Sequence, residues 1–344
     1  MNAKVPYLYG LAVGLLLLAG ACADGDNDAA QFFLRGNVQL QKREYREAVR
    51  FYSEAIKKKP DFADAYNNRG LAHFRDGKPD VALADYTRSI EIDPDFRAAY
   101  LNRADALTAQ GQPRPALADL LRAEPAYRDS TTFQTRLGEA YAALGDVPNA
   151  QTAFDKAIGL DARNAEALTN RAALAFGQKQ YAQAEADINN ALAINPLRAE
   201  ALNNRAMLLA RKNQFMPALK AIETARQTQP DQPVYLNNHG YILLQLNRSG
   251  QALPLLQESL RRNPANAWAH RNMGLYYLQA KQPGPALTAL QEAERLDASV
   301  DNLYTYLGDA RQQASDPAAA CLAWKRGQLA GDSLAIARLT QFCP

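Results

Sequence analysis

The 344-residue chain carries 39 basic and 36 acidic side chains, a formal charge of +3, with 47% hydrophobic residues. That near balance excludes a dedicated nucleic-acid binder, which concentrates basic surface on one face. With three histidines, three cysteines and no HExxH, GxSxG or phosphate-binding glycine loop, the chain offers no catalytic constellation, so no enzyme activity, cofactor, metal or small-molecule substrate is expected.

Residues 1–21 have the pattern of a secretory signal. Lys4 supplies a positive start, Leu8–Leu18 is an apolar run too short to span a bilayer, and Ala19, Gly20 and Ala21 place small residues before Cys22. A cysteine at that point resembles a bacterial lipoprotein, in which the thiol is lipidated and becomes the mature N-terminus. The resemblance implies an exported chain anchored to the outer membrane, on its periplasmic side or at the cell surface. Ala19 departs from the leucine usual there, and an ordinary cleavage site followed by an incidental cysteine is the other reading. Residues 22–28, with Asp24, Asp26 and Asp28, read as a short flexible tether. The acidic stretch weakly resembles signals that direct lipoproteins to the cell surface, and a plain solvated linker is its alternative.

From Ala29 onward one period of 34 residues governs the chain, with units starting at 29, 63, 97, 131, 165, 199, 233, 267 and 301. Position 8 of each unit is small: Gly36, Gly70, Ala104, Gly138, Ala172, Ala206, Gly240, Gly274 and Gly308. Position 20 is alanine throughout, from Ala48 to Ala320, and position 24 is large, from Tyr52 and Tyr86 to Leu290 and Trp324. Position 27 is small again, and position 32 is proline in Pro60, Pro94, Pro196, Pro230 and Pro264. Small residues let two antiparallel helices approach, large ones fill the space between them, and proline stops the second helix. Gly77, Gly111 and Gly145 fall at the turn between helices, and Pro79, Pro113, Pro283 and Pro317 start second helices.

This pattern, over residues 29–334, resembles the tetratricopeptide repeat, a helix–turn–helix unit. The resemblance implies an all-α, right-handed superhelix of nine repeats. The tail at 335–344 is expected to cap the last repeat, with Ser333 capping its helix through Gln341. Cys321 and Cys343 would pin that cap as a disulfide in an exported chain, or remain two separate buried thiols. In the fourth repeat, Pro125 is expected to end its helix early and to mark a bend at residues 124–131.

Arginine recurs at position 7, and the aspartate at position 23 of the same repeat lies across the hairpin, so the pairs Arg69–Asp85, Arg103–Asp119 and Arg171–Asp187 are expected. As partly exposed pairs they would contribute ~0.5 kcal/mol each. Lys57–Lys59 reads as a solvated run at a helix C-terminus. His73, His239 and His270 occupy packed phases and read as core or boundary residues.

Position 6 repeats asparagine as Asn68, Asn102, Asn170, Asn204, Asn238 and Asn272. Asparagine costs roughly 0.6 kcal/mol in a helix relative to alanine, so six at one phase call for an explanation. In tetratricopeptide repeats this position faces the concave side. The ladder is similar to that of the repeat domain of O-linked N-acetylglucosamine transferase, whose amides hold the backbone of an extended peptide. The other reading is that each amide bonds a neighbouring helix. On the same face Trp268 and Tyr241, with Phe74 and Phe176, are the expected side-chain anchors. The arginines Arg75, Arg136, Arg211 and Arg271 are too scattered for the basic clamp of chaperone-binding members. The expected function is therefore a non-enzymatic adaptor of the cell envelope, binding protein or peptide partners in its concave groove. A structural protein that self-assembles through its outer faces is the alternative.

Overall fold

The computed structural model describes residues 26–343, and every regular element among them is an α-helix. The described chain divides into two compact units, which meet in sequence between Ala162 and Arg163. The signal, Cys22 and the first part of the tether lie outside the described residues.

The first unit holds four helical hairpins. They are α1 (26–41) with α2 (Tyr45–Lys58), α3 (Ala63–Arg75) with α4 (Pro79–Ile92), α5 (Arg97–Ala109) with α6 (Pro113–Tyr127), and α7 (Thr131–Ala143) with α8 (Val147–Leu160). The second unit holds five more and a closing helix. They are α9 (Ala165–Gly177) with α10 (Tyr181–Ile194), α11 (Ala199–Arg211) with α12 (Phe215–Thr228), α13 (Pro233–Gln245) with α14 (Ser249–Arg262), α15 (Ala267–Gln279) with α16 (Pro283–Leu296), and α17 (Leu303–Gln313) with α18 (Pro317–Leu329). Helix α19 (Ser333–Phe342) follows.

The small-residue ladder has a direct steric cause. A Cβ built on Gly36, Gly70 or Gly138 would stand 2.5, 2.8 or 2.5 Å from the ring of Tyr52, Tyr86 or Phe154, and one on Gly308 would collide with Trp324. Every aromatic residue at position 24 therefore faces glycine, whereas the three hairpins with alanine carry Leu120, Ile188 and Ile222 there. These position-24 side chains are among the largest fully buried groups of the described residues. Serines at position 27 close each hairpin on itself: Ser89 and Ser259 donate to the carbonyls of Ala63 and Pro233 at 2.8 and 2.7 Å. Second helices end two residues before Pro60, Pro94, Pro196, Pro230 and Pro264. The nine intra-hairpin turns all use a left-handed residue at position 15. Glycine supplies it at 77, 111 and 145, while Arg43, Lys179, Asn213, Asn247, Lys281 and Ser315 adopt φ of 56–63°. The non-glycine residues meet a steric penalty there that glycine avoids.

Three expectations need correction. Pro125 does not break its helix, for α6 continues to Tyr127. Proline removes only the bond to the Leu121 carbonyl, two residues before the end of the helix and on a face where Leu121 is exposed. Residues 26–28, expected in the tether, are helical. Asp28 and Asp26 lie 2.8 and 3.5 Å from Lys58 and Lys59, so two lysines of that solvated run also pair with the start of α1. Finally, α19 is capped by Asp332, which accepts from the Leu334 and Ala335 amides, so Ser333 is the first helical residue.

The Arg–Asp pairs are present and stronger in form than expected. Arg69, Arg103 and Arg171 each grip their aspartate with two nitrogens, at 2.6–2.9 Å. Asp85, Asp119 and Asp187 are buried. Arg69 and Arg103 also donate to Ser53 and Thr87 of the preceding hairpin, both at 3.2 Å. Removing one member would leave a buried charge uncompensated, which costs far more than losing a surface pair.

Candidate functional site

Within each unit, first helices of successive hairpins touch one another, while second helices pack on the first helices of their own and the next hairpin. The first helices therefore form the inner wall, and position 6 lies on it. In the second unit that wall encloses a groove of about 560 Å³ running from Phe176 on α9 to Ser333 and Leu334 on α19. It brings together Trp268, Tyr241, Phe176 and Asn238 of the expected anchors. Trp268 is 39% exposed and Val234 beside it is 50% exposed, so the groove presents apolar surface to solvent. Of the other expected anchors, Asn204 and Asn272 are not part of its lining. Asn68, Asn102 and Phe74 belong to the first unit, where Phe74 packs against the Tyr86 cluster.

The ladder amides bond groups of the neighbouring first helices. In the second unit, Nδ2 of Asn238 donates to Oδ1 of Asn203 at 2.9 Å, and Nδ2 of Asn272 to Oδ1 of Asn237 at 2.8 Å. Asn204 donates to the Thr169 carbonyl at 3.2 Å. Within a helix, Asn203 and Asn237 donate to the ladder amides Asn204 and Asn238. The first unit repeats the scheme, with Asn102 donating to Asn67, Asn67 to Asn68, and Asn68 to Asn37. The amides thus lace neighbouring hairpins together. An amide offers two N–H groups and an oxygen with two lone pairs. Asn238 spends one N–H and one lone pair in the lacing and keeps one of each.

The lacing stops at repeat 8. Position 5 there is Arg271 rather than asparagine, and Oδ1 of the buried Asn272 receives no hydrogen bond among the described residues. Arg271 is 3% exposed and its guanidinium carbon lies 5.0 Å from the ring centres of both Tyr241 and Trp268 and 5.7 Å from that of Tyr306. Tyr306 occupies position 6 of repeat 9, the place where the asparagine series ends. Sequence reasoning passed over Arg271 because its cage is assembled from three hairpins. At position 4, Gln134 and His270 bond the carbonyls of Arg128 and Pro264 six residues back, at 2.7 and 2.9 Å.

His239 is buried with Nδ1 2.9 Å from a guanidinium nitrogen of Arg226. Burial and the adjacent cation push its pKa down to about 4, so it is neutral at physiological pH. At the far end a disulfide joins Cys321 on α18 to Cys343 after α19. No group of three His, Cys, Asp or Glu residues is placed to hold a metal among the described residues, and none of their helices is long and apolar enough to cross a membrane.

The tetratricopeptide repeat profile matches residues 33–95, 75–131, 101–165, 135–196, 169–233 and 237–301. Among solved structures, the Cut9–Hcn1 hetero-tetramer of the APC/C is similar over 92% of this chain and 76% of its own, with 15% identity and a TM-score of 0.63. A tetratricopeptide repeat protein from Parabacteroides merdae aligns over 72% and 98%, with 15% identity and a TM-score of 0.54. Pseudomonas aeruginosa pilF aligns over 62% and 96%, with 18% identity and a TM-score of 0.53. No curated protein matches by sequence. At these identities the structural likeness concerns the fold alone.

Proposed function

Because the chain belongs to the tetratricopeptide repeat family, whose members bind protein or peptide partners, we propose that it is a non-enzymatic adaptor holding an extended peptide segment in the groove of its second unit. One observation carries this reading: the groove combines exposed apolar anchors, Trp268 and Val234, with amides that retain hydrogen-bonding capacity. A bare peptide backbone needs both a donor and an acceptor at each residue, and a primary amide supplies both whatever the side chains. An exposed tryptophan set in a groove is a natural anchor. Asn238, the ladder asparagine that lines the groove, then serves twice, lacing the hairpins through one N–H and meeting the ligand with the other.

The chain acts, in this reading, in the cell envelope, exported by residues 1–21 and anchored to the outer membrane through lipid on Cys22. The Cys321–Cys343 disulfide supports an oxidising compartment. Metabolic labelling with palmitate should mark the wild type and leave Cys22→Ser unlabelled; label on the variant would overturn the anchor.

The groove is tested by retention of random linear decapeptides on the full chain. Trp268→Ala with Val234→Ser leaves the amide lacing intact and should lower retention at least tenfold at unchanged melting temperature. Equal retention by both proteins would move binding elsewhere. A second reading, self-assembly through outer faces, draws on the exposed Leu322, Leu329 and Ile336 near the C-terminal end. It requires a sedimentation coefficient that rises with concentration in both proteins.

A further inference from the structure

The helix that closes the second unit is held by few contacts. Helix α19 has 10 residues, fewer than a helix needs to keep its shape alone in water. Ala335 is its one buried residue, set so close to α18 that a Cβ on Gly327 would stand 2.6 Å from it. Two polar ties fasten α19 to α17: Asp332 accepts from Thr305, and Arg338 grips Asp309 at 2.9 and 3.3 Å. Past Arg338 the chain is held by Leu339, by the ring of Phe342 stacked 5.6 Å from that of Trp324, and by the Cys321–Cys343 disulfide. Neither cysteine is buried. Both line a cleft of about 490 Å³ between α18 and α19, together with Leu322, Lys325, Ile336 and Leu339. At its other end α19 places Ser333 and Leu334 in the lining of the groove.

We propose that the Cys321–Cys343 disulfide is a redox latch: a dithiol reductant reaches it through the cleft, and its reduction frees α19 from the end of the groove. Control of the groove rests on the peptide reading; reduction and release do not. The chemistry is two thiol–disulfide exchanges. A thiolate of the dithiol attacks one sulfur, forms a mixed disulfide and expels the other cysteine as a thiolate, which takes up a proton. The second thiol of the dithiol then loses its proton and attacks the mixed disulfide. The dithiol ends as a disulfide, oxidised by two electrons, and Cys321 and Cys343 end as two thiols. Attack needs access to sulfur, which the cleft provides. While the bond is intact, it restricts the detached conformations open to the tail. Once it is cut, α19 depends on one buried alanine, a stacked ring and two polar ties, and ties with partly exposed partners such as Arg338 contribute little. With α19 go Ser333 and Leu334, so the reduced protein lacks one wall of the groove and holds a segment less tightly.

Dithiothreitol is the probe, applied to the full chain under native conditions. Iodoacetamide should label Cys321 and Cys343 soon after its addition; labelling that needs urea would overturn the latch. Trypsin reads the release of α19, because Arg338 is the one tryptic site within that helix and is cut only when the helix leaves α18. Digests are stopped early, then reduced and alkylated, so that the fragment beginning at Leu339 is counted by mass spectrometry in both states. Reduction should speed this cut at least tenfold and leave cleavage in the first unit unchanged. It should also lower the retention of random linear decapeptides at least threefold. The double variant Cys321→Ser, Cys343→Ser should behave as the reduced protein with or without dithiothreitol, which ties both effects to this bond. A cut at equal rate in the two states would overturn the latch, since α19 then stays docked without the bond. A faster cut with unchanged retention would overturn its control of the groove. Absence of retention in both states would overturn the groove reading and that control together, while the tryptic cut still decides the release of α19.

Discussion

Arg136 and Arg271 stand on first helices of the two units, at adjacent phases of the repeat, and meet opposite surroundings. In the first unit Arg136 takes the place of a ladder asparagine, and Asp105, one hairpin earlier, answers it at 2.8 Å. Burial holds the Asp105 carboxyl above the usual carboxylate range, while Arg136 and Arg75 pull it back down. In the second unit Arg271 meets three rings and one distant carbonyl. The same residue type is neutralised by the chain in one place and left charged in the other. A repeat protein can therefore hold its architecture constant while a few positions decide whether a face is closed or open to a ligand.

The clamps common to both units should show the largest effect. Asp119→Ala in the first unit and Asp187→Ala in the second each strand a buried arginine, and each should lower stability by about 3–5 kcal/mol in urea unfolding. A loss below 1 kcal/mol in either would mean that the two units do not share this device. Reduction of the Cys321–Cys343 bond, which spans 22 residues, should cost about 3 kcal/mol. Hydrogen exchange should rise in α18 and α19 and stay unchanged in the first unit.

Acid should act next, on His239 in the second unit and in the same direction on His73 in the first, whose pKa burial also lowers. The folded pKa of His239 is lowered from 6.5 to about 4, so the folded state binds fewer protons than the unfolded one in that interval. Its contribution is complete above pH 6.5 and is lost as pH falls towards 4, by up to about 3 kcal/mol. His239→Gln should flatten that part of the stability–pH curve. Smallest is the contrast between the two arginines themselves. Asp105→Asn should destabilise by about 1 kcal/mol, because it removes the answer to Arg136. Arg271→Met should leave the melting temperature unchanged or raise it, because it removes an unanswered charge.

The hairpins were legible in the sequence because their signal is steric and local. Gly308 opposite Trp324 sits sixteen residues away at every recurrence of the period, and both must change together. The Arg–Asp pairs were legible for the same reason, though their burial was not. The proline at 125 misled because a helix end tolerates what its middle does not. At the groove, the asparagine series was visible but its lacing was not: the partners Asn67, Asn203 and Asn237 stand at the adjacent phase, and the bonds run between hairpins. Arg271 was visible only as one of several scattered basic residues. Its cage needs Tyr241, Trp268 and Tyr306 at three different repeat positions, which no single period reveals.

The central claim, that the inner wall of the second unit holds an extended peptide, is tested most directly by photo-crosslinking. The photo-reactive residue p-benzoylphenylalanine replaces Val234 in the groove, or Thr288 on the exposed face of α16, in otherwise identical full chains. Each is irradiated with the same random decapeptide library. Adducts at position 234, with none above background at 288, are the predicted result; equal labelling of both positions, or labelling of 288 alone, would contradict it.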